Sequence, residues 1–199
     1  MRVISGEAKG RTLVGPAGTF TRPMQDKIKE ALFSSLFSLG VGADRIADLY
    51  AGTGSIGIEA ISQGATYGDF VDQNASACVV VQKNLERTGF ANRSRVHRTS
   101  VSNFISRPLD PYDLIFLDPP YADPEIEQIL RQLSGSTLIQ SGTIVAIGHW
   151  PRLKLPEEIG RLTRLRRRCH GDSCFSIYEA DLPPVEDNEG ADSSRDLPG

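Results

Sequence analysis

The chain has 199 residues, with 22 basic and 25 acidic side chains and a formal net charge of −3. This length fits one domain with a small extension, and it can bury a core without disulfides or a structural metal. No apolar run approaches the roughly 18 residues that a membrane-spanning helix needs, and the three cysteines are too sparse for a disulfide framework, which favours a reducing, cytoplasmic setting.

The charge is unevenly distributed along the chain. Residues 1–30 carry six basic and three acidic side chains, and residues 161–170 carry five arginines and no acid. Residues 183–199 carry five acids and one arginine, with almost nothing to bury, which is typical of a disordered acidic tail. The net negative charge therefore does not exclude a nucleic-acid partner.

The first 40 residues predict an extension that precedes the main sheet. Residues 2–4 and 11–14 flank a turn-rich stretch, which predicts a β-hairpin with a basic face. After the break at Thr21-Arg22-Pro23, apolar residues recur at helical spacing, which predicts a helix over 24–39.

Strand and helix patterns alternate through the middle of the chain. Strands are predicted at 45–50, 67–72, 94–97, 112–118 and 142–147, helices at 55–63, 74–88, 102–106 and 124–134, and a closing hairpin at 162–169 and 173–179. Such alternation is typical of an α/β fold with a doubly wound, mostly parallel sheet, to which the hairpin adds antiparallel strands at one edge.

A glycine-rich turn follows the first of these strands. The segment Gly52-Thr53-Gly54-Ser55-Ile56-Gly57 matches G-x-G-x-x-G, in which glycine permits a tight turn and close approach of a ligand to the backbone. Asp72 ends the second strand, where an acid can accept both hydroxyls of a ribose. A dinucleotide or an adenosyl nucleoside fits this pattern. Asp48 would repel a pyrophosphate, which favours a cationic ligand such as S-adenosylmethionine.

A second motif, Asp118-Pro119-Pro120-Tyr121, follows the fourth strand. Two consecutive prolines fix two φ angles and remove two N–H donors, so that carbonyl groups project rigidly into the cleft. Carbonyl and carboxylate acceptors beside an aromatic ring suit an exocyclic amine on a flat base. Two acceptors on its N–H bonds would aim the nitrogen lone pair at an electrophilic methyl group, and no metal is required.

Residues 48–60 together with residues 118–121 resemble S-adenosylmethionine-dependent amino-methyltransferases. More narrowly, the chain resembles the bacterial small-subunit rRNA guanine-N2 methyltransferase family (RsmD type) over residues 1 to about 180. The supporting motifs are residues 2–6 with 9–11, Thr21-Arg22-Pro23 with Asp26 and residues 29–33, Phe70-Val71-Asp72, and residues 170–173. The Thr-Arg-Pro block is much more specific than the glycine turn.

The resemblance implies a seven-stranded, Rossmann-like methyltransferase sheet. Residues 1–40 would form the hairpin and helix extension, residues 41–182 the methyltransferase domain, and residues 183–199 the tail. Catalysis is expected at Asp118, Pro119, Pro120 and Tyr121, and cofactor contacts at Asp48, Tyr50, Gly52, Gly54, Asp72, Ser100, Val101 and Asp118. The implied reaction is transfer of a methyl group from S-adenosylmethionine to one guanine N2 of 16S rRNA (guanine(966)-N2 type), by a monomer acting on a 30S subunit or assembly intermediate.

The chain departs from the family pattern at two places. The family usually has an acid after the third strand, near the adenine, where this chain has Ser100-Val101. It usually has Glu before the His that follows the fifth strand, where this chain has Gly148-His149. Altered affinity or a diverged substrate is expected to originate at these positions.

Two weaker patterns concern RNA and metals. Alternation predicts that Arg164, Arg166 and Arg168 share one strand face, and a phosphate track is expected at Arg2, Lys9, Arg11, Arg22, Arg164, Arg166 and Arg168. The cysteines at 169 and 174, with the nearby histidines, match no zinc spacing, which predicts reduced thiols and no metal site.

Three alternatives remain open. A DNA adenine-N6 methyltransferase uses the same proline turn, although about 180 ordered residues leave no room for the usual target-recognition domain. An NAD(P)-dependent oxidoreductase explains the glycines but not Asp48 or the Pro-Pro-Tyr turn. A non-catalytic RNA-binding relative with a decayed pocket is kept open by the two departures.

Overall fold

A computed structural model of the chain describes residues 1–15, 26–120 and 125–181. The sequence predictions for Arg22, for Tyr121 and for the acidic tail lie outside these residues.

The helices and strands follow the predicted order. The strands are β1 (Arg45–Leu49), β2 (Tyr67–Asp72), β3 (Ser94–Arg98), β4 (Leu114–Leu117), β5 (Ile144–His149), β6 (Glu158–Ile159), β7 (Leu162–His170) and β8 (Ser173–Ala180). The helices are α1 (Asp26–Ser38), α2 (Ser55–Ser62), α3 (Ala75–Thr88), α4 (Val101–Ile105) and α5 (Ile126–Ser134), with a 3-10 turn at Ala91–Arg93.

All strands form one sheet in the order β3-β2-β1-β4-β5-β8-β7-β6. Strands β1 to β5 are parallel, and β6, β7 and β8 add antiparallel pairs at one end. The predicted doubly wound α/β class is confirmed, but within the described ranges the sheet has eight strands where seven were expected. The additional strand, β6, contributes only two residues, too few to show an alternating pattern.

The sheet separates two apolar layers. Its first face, which carries Phe70, Phe116 and Ile177, is covered by the N-terminal segment and helices α1, α2 and α3. Its second face, which carries Ile115 and Tyr178, is covered by α4 and α5. Strand order reverses at β1 and β4, so the crevice outside their carboxyl ends is the expected ligand position in such a fold.

The predicted N-terminal β-hairpin is wrong in detail. Residues 1–15 turn back on themselves, but they form only one isolated bridge, between Arg2 and Thr12. The N–H groups of Ile4 and Ser5 each donate to the Glu59 carboxylate of α2 at 2.8 Å. Three backbone hydrogen bonds between residues 1–3 and 10–13 still join the two arms of the turn. Because the next donor, Ser5, bonds to α2 instead, the pairing does not continue as a regular ladder.

A buried ion pair fixes the extension to α2. Lys29 of α1 lies 3.3 Å from Glu59, and neither side chain is exposed to solvent. Lys29 also donates to the carbonyl of Arg2 at 3.0 Å, so both charges have additional hydrogen bonds, which a buried pair requires. The extension and the start of the sheet therefore form one packed unit. Among the described residues, no helix is long and apolar enough to cross a membrane.

Candidate functional site

The glycine turn connects β1 to α2 through left-handed backbone conformations. Tyr50, Gly52 and Gly54 have φ values of 65°, 56° and 73°. Gly54 is the N-cap of α2, and within the described chain Tyr50 is the one non-glycine residue with positive φ. Glycine tolerates this conformation at no steric cost, whereas a strained tyrosine beside a turn is typical of a functional site.

The third glycine of the motif serves helix packing. A Cβ atom at Gly57 would lie 2.5 Å from Cε1 of Phe70 and 3.0 Å from Cβ of Asp48. Its absence lets α2 approach β1 and β2 closely, and the Gly57 N–H then donates to Oδ2 of Asp48 at 2.9 Å.

Three carboxylates lie at the carboxyl ends of β1, β2 and β4. Asp48 is only 1% exposed, and burial raises its pKa to about 8. The hydrogen bond from Gly57 opposes this rise, whereas the charges of Asp118 and Asp72 add to it. Such a cluster is stabilised by a cationic group and destabilised by a pyrophosphate.

Asp72 also organises the turn. Its Oδ2 atom accepts from the Gly52 N–H at 2.9 Å, and its Oδ1 atom accepts from the Asn74 N–H at 2.8 Å. Each carboxylate oxygen retains a second lone pair. Asp72 can therefore hold the turn in place and still accept hydrogen bonds from a ligand.

Asn84, a residue that sequence reasoning missed, ties the turn to the N-terminal segment. It is fully buried in α3. Its Nδ2 atom donates to the carbonyls of Thr53 and Val14 at 2.9 and 3.1 Å, and its Oδ1 atom accepts from the Val14 N–H at 2.7 Å. The available signal was an amide on the same helix face as the apolar Val81 and Leu85.

The Asp-Pro-Pro segment continues β4 into the crevice. The Asp118 N–H donates to the carbonyl of Leu49 at 3.4 Å, which keeps the segment beside β1. Pro119 is buried and Pro120 is exposed. Asp118 thus lies with Asp48 and Asp72 at one edge of the sheet, as predicted, and the stacking role of Tyr121 stays a prediction.

Ser100 and Val101 lie at the same edge, after β3, but their side chains have structural contacts. The Ser100 hydroxyl accepts from the Asn103 N–H at 3.2 Å and caps α4. Val101 is 5% exposed and packs in the second-face core. Their predicted contact with an adenine stays a prediction.

His149, at the end of β5, is held between two partners. Nδ1 lies 2.8 Å from the Trp150 carbonyl and Nε2 lies 2.9 Å from the Ser176 hydroxyl. Burial lowers the pKa of His149, and the charges of Arg167 and Arg164 lower it further. The imidazole is therefore neutral near pH 7. Within the described ranges, no three His, Cys, Asp or Glu side chains group as metal ligands.

The prediction of reduced thiols at Cys169 and Cys174 is wrong. The two residues form a disulfide across the β7–β8 hairpin, because the register of that hairpin sets them directly opposite each other. Cys78 is a free, half-buried thiol.

The predicted single arginine face on β7 is also wrong. Arg164 pairs with Tyr178, whereas Arg166 pairs with Ile177, and the register shifts between them. Tyr178 packs on the second face and Ile177 on the first. The irregularity at Leu165 therefore sends Arg164 to the opposite side from Arg166 and Arg168.

Most arginines of residues 161–168 bond to the protein itself. Arg161 donates to the carbonyls of Ser134, Ser136 and Ile139. Arg164 donates to the Leu155 carbonyl and the Glu157 carboxylate. Arg166 donates to the Ser35 carbonyl and the Ser38 hydroxyl, and Arg167 donates to the Pro151 carbonyl. Arg168 is exposed and has no such partner among the described residues. Arg2, Lys9 and Arg11 are exposed on the N-terminal segment, and Arg11 donates to the carbonyl of Arg87 at 2.6 Å.

Comparison with known proteins places this site in a family. The family model described as Conserved hypothetical protein 95 matches residues 1–179. YlbH of Bacillus subtilis (strain 168) is 34% identical over 182 residues, which are 90% of this chain and 98% of that protein. Ribosomal RNA small subunit methyltransferase D of Escherichia coli (strain K12) is 25% identical over 94% of this chain and 93% of its own length.

The fold agrees with these sequence relatives. The solved structure of yhhF from Escherichia coli has a TM-score of 0.80 and 25% identity, and covers 91% of this chain and 98% of its own. The chain belongs to the Conserved hypothetical protein 95 family, the RsmD-type methyltransferases that its motifs predict.

Proposed function

We propose that the protein is an S-adenosylmethionine-dependent methyltransferase that modifies the exocyclic N2 of a guanine in 16S rRNA. The observation that carries the proposal is the convergence of Asp48, Asp72 and the Asp118-Pro119-Pro120 segment at one edge of the sheet. The Escherichia coli relative is named a small-subunit rRNA methyltransferase, which supports rRNA as the substrate class.

The residues present fit the proposed cofactor. The buried Asp48, whose pKa is about 8 beside two further carboxylates, favours a ligand with positive charge, and S-adenosylmethionine carries a sulfonium and an ammonium group. Gly52 leaves open space beside the turn, because a Cβ there would meet nothing closer than 3.9 Å. Asp72 retains lone pairs for ribose hydroxyls. When bound, the cofactor supplies an electrophilic methyl group.

The chain's own residues would position the target amine. The Asp118 carboxylate and the Pro119 carbonyl would accept hydrogen bonds from its two N–H groups. They would thereby direct the nitrogen lone pair toward the methyl group, while Tyr121 would stack on the base. Such an amine is a weak nucleophile, so catalysis rests on proximity and alignment.

The RNA contacts, setting and assembly complete the proposal. We assign phosphate contacts to Arg2, Lys9, Arg11, Arg22 and Arg168, for a monomer acting in the cytoplasm on a 30S particle. We leave out Arg164 and Arg166, because their guanidinium groups bind other parts of the protein and their side chains are half-buried. Arg11 also donates to a carbonyl, but its side chain stays exposed.

The test uses 30S particles from a strain that lacks the gene. Purified protein is added with S-adenosylmethionine, and the 16S rRNA nucleosides are measured by mass spectrometry. We expect one N2-methylguanosine with the wild type and none with Asp118→Ala, which should still bind S-adenosylhomocysteine in calorimetry. Asp110→Ala, which removes an exposed carboxylate from a surface ion pair, is the matched control and should methylate normally.

The same experiment separates the alternatives. Full turnover by Asp118→Ala would overturn the proposed role of the proline turn. Methylation of adenine in duplex DNA but not of 30S particles would favour the DNA methyltransferase, and binding of NAD in place of S-adenosylhomocysteine would favour the oxidoreductase. Cofactor binding without turnover on any rRNA would favour a non-catalytic relative.

A further inference from the structure

We propose that the open edge of the sheet at β3, together with the adjoining N-terminal turn, is a surface that binds the rRNA backbone. This inference rests on the proposed function and names the face of the protein that its substrate contacts. We call it the β3-edge surface and define it by Lys9, Arg11, Arg87, Arg93, Arg95 and Arg98.

The positive charge near β3 does not show when the net charge is summed over the whole middle of the chain. Residues 87–109 contain five arginines and no acidic residue, although they lie within residues 31–160, where acids outnumber bases. The charged side chains of residues 87–109 are therefore all arginines, as they are in residues 161–170.

The part of this surface that lies on β3 is not covered by another described strand. Among the strands that the structure describes, β3 is the terminal one of the sheet and pairs with β2 alone. Arg95 and Arg98 are exposed, and neither has an ion-pair or hydrogen-bond partner within the described part of the chain. They leave the strand on opposite faces and so lie on both sides of the edge, where a chain of phosphates could pass between them.

The surface leads to the candidate site. Arg98 is in register with Asp72, at the carboxyl end of the strands. The rise of about 3.3 Å per residue places Arg95 about 10 Å further down the edge. RNA bound along β3 would therefore reach the crevice that contains the three carboxylates.

The lower part joins β3 to the N-terminal turn. Arg93 lies 2.7 Å from the Glu7 carboxylate and its guanidinium stacks 4.7 Å from the Phe90 ring centroid. Arg11 reaches the carbonyl of Arg87 at the end of α3. These contacts hold the two basic segments together, and among the described residues Glu7 is the one carboxylate paired to an arginine of the surface.

The paired substitution Arg95→Ala with Arg98→Ala tests the proposal. Binding to 30S particles from the deletion strain is measured by filter retention over a series of salt concentrations, with steady-state methylation alongside. We expect affinity to fall about tenfold and the slope of log affinity against log salt to decrease by about 1.5, because each lost phosphate contact removes about 0.7 to 0.9. The KM for particles should rise in parallel, with kcat and S-adenosylhomocysteine affinity unchanged.

Two controls make the result specific. Arg107→Ala with Arg131→Ala removes two exposed arginines, one from the segment after α4 and one from α5, and should leave affinity and slope unchanged. Arg95→Lys with Arg98→Lys keeps the charge and should retain most of the slope. Urea unfolding of each variant confirms the native fold.

Wild-type affinity and slope in the Arg95→Ala, Arg98→Ala protein would overturn the surface, even while the enzyme methylates its substrate. Failure of the wild type to methylate any 16S rRNA would instead overturn the proposed function. Filter retention requires no turnover, so it decides the surface separately.

Discussion

The charged side chains at the two ends of the sheet have different surroundings. At the β1–β3 end, Asp48, Asp72 and Asp118 gather around the glycine turn, and Arg95 and Arg98 extend from the open edge without partners among the described residues. At the other end, formed by β5, β8, β7 and β6, every arginine of residues 161–168 except Arg168 binds a backbone carbonyl, and His149 is buried and hydrogen bonded.

The comparison shows that an arginine-rich segment is not by itself a nucleic-acid surface. Arg161 binds the carbonyl of Ser134 at the end of α5, and Arg166 binds that of Ser35 near the end of α1. The last turn of α1 contains no basic residue of its own. Helix carboxyl ends carry unpaired carbonyls and partial negative charge, so they attract guanidinium groups from neighbouring strands.

The largest effect is expected at the glycine turn, where the β1–β3 end depends on close backbone approach. Gly57→Ala would place a methyl group against Phe70 and Asp48, and we expect a loss of about 3 kcal/mol in the free energy of unfolding together with loss of S-adenosylhomocysteine binding. Urea unfolding and calorimetry measure the two effects. Gly135→Ala is the control, because its Cβ would meet nothing closer than 3.8 Å. Equal behaviour of the two variants would contradict close packing at Gly57.

A smaller effect is expected from the buried carboxylate. The pKa of Asp48 is about 8 in the folded protein, above its value in the unfolded chain, so the folded state holds the proton more tightly. The stability that this proton contributes is present below about pH 4 and is lost as the pH rises toward 8. Asp48→Asn should therefore stabilise the ligand-free protein by on the order of 3 kcal/mol more at pH 8 than at pH 5.

Urea unfolding of Asp48→Asn at both pH values measures this difference, with Asp113→Asn as a carboxylate control outside the crevice. A gain that does not depend on pH would show that Asp48 is ionised throughout, and would contradict the raised pKa.

The smallest effect compares one arginine from each end of the sheet. Arg161→Ala leaves the carbonyls of Ser134, Ser136 and Ile139 without their donor, and we expect a loss of about 1 to 2 kcal/mol in urea unfolding. Arg98→Ala should change stability by less than about 0.5 kcal/mol. Equal losses from both substitutions would remove the distinction between structural and surface arginines.

Local patterns were sufficient for the parallel half of the sheet. Residues 67–72 were predicted as a strand and form β2 with the same bounds. The convergence of Asp48, Asp72 and Asp118 also followed from sequence, because parallel strands present their carboxyl ends at one edge. Asn84 was missed because its partners, Val14 and Thr53, are distant in sequence.

Short stretches of sequence determined the regular elements, their parallel order and the motifs of the candidate site. The reason is that hydrophobic periodicity and turn chemistry act over a few residues. The tertiary structure decided the rest: the hydrogen bonds from the N-terminal turn to α2, the irregularity at Leu165, the disulfide, and the difference between the two arginine segments. The physical reason is that the role of a polar side chain depends on which groups the fold places within hydrogen-bonding distance of it. For Arg166 that partner is the end of α1, more than 100 residues away, whereas Arg95 and Arg98 face the open edge of the sheet.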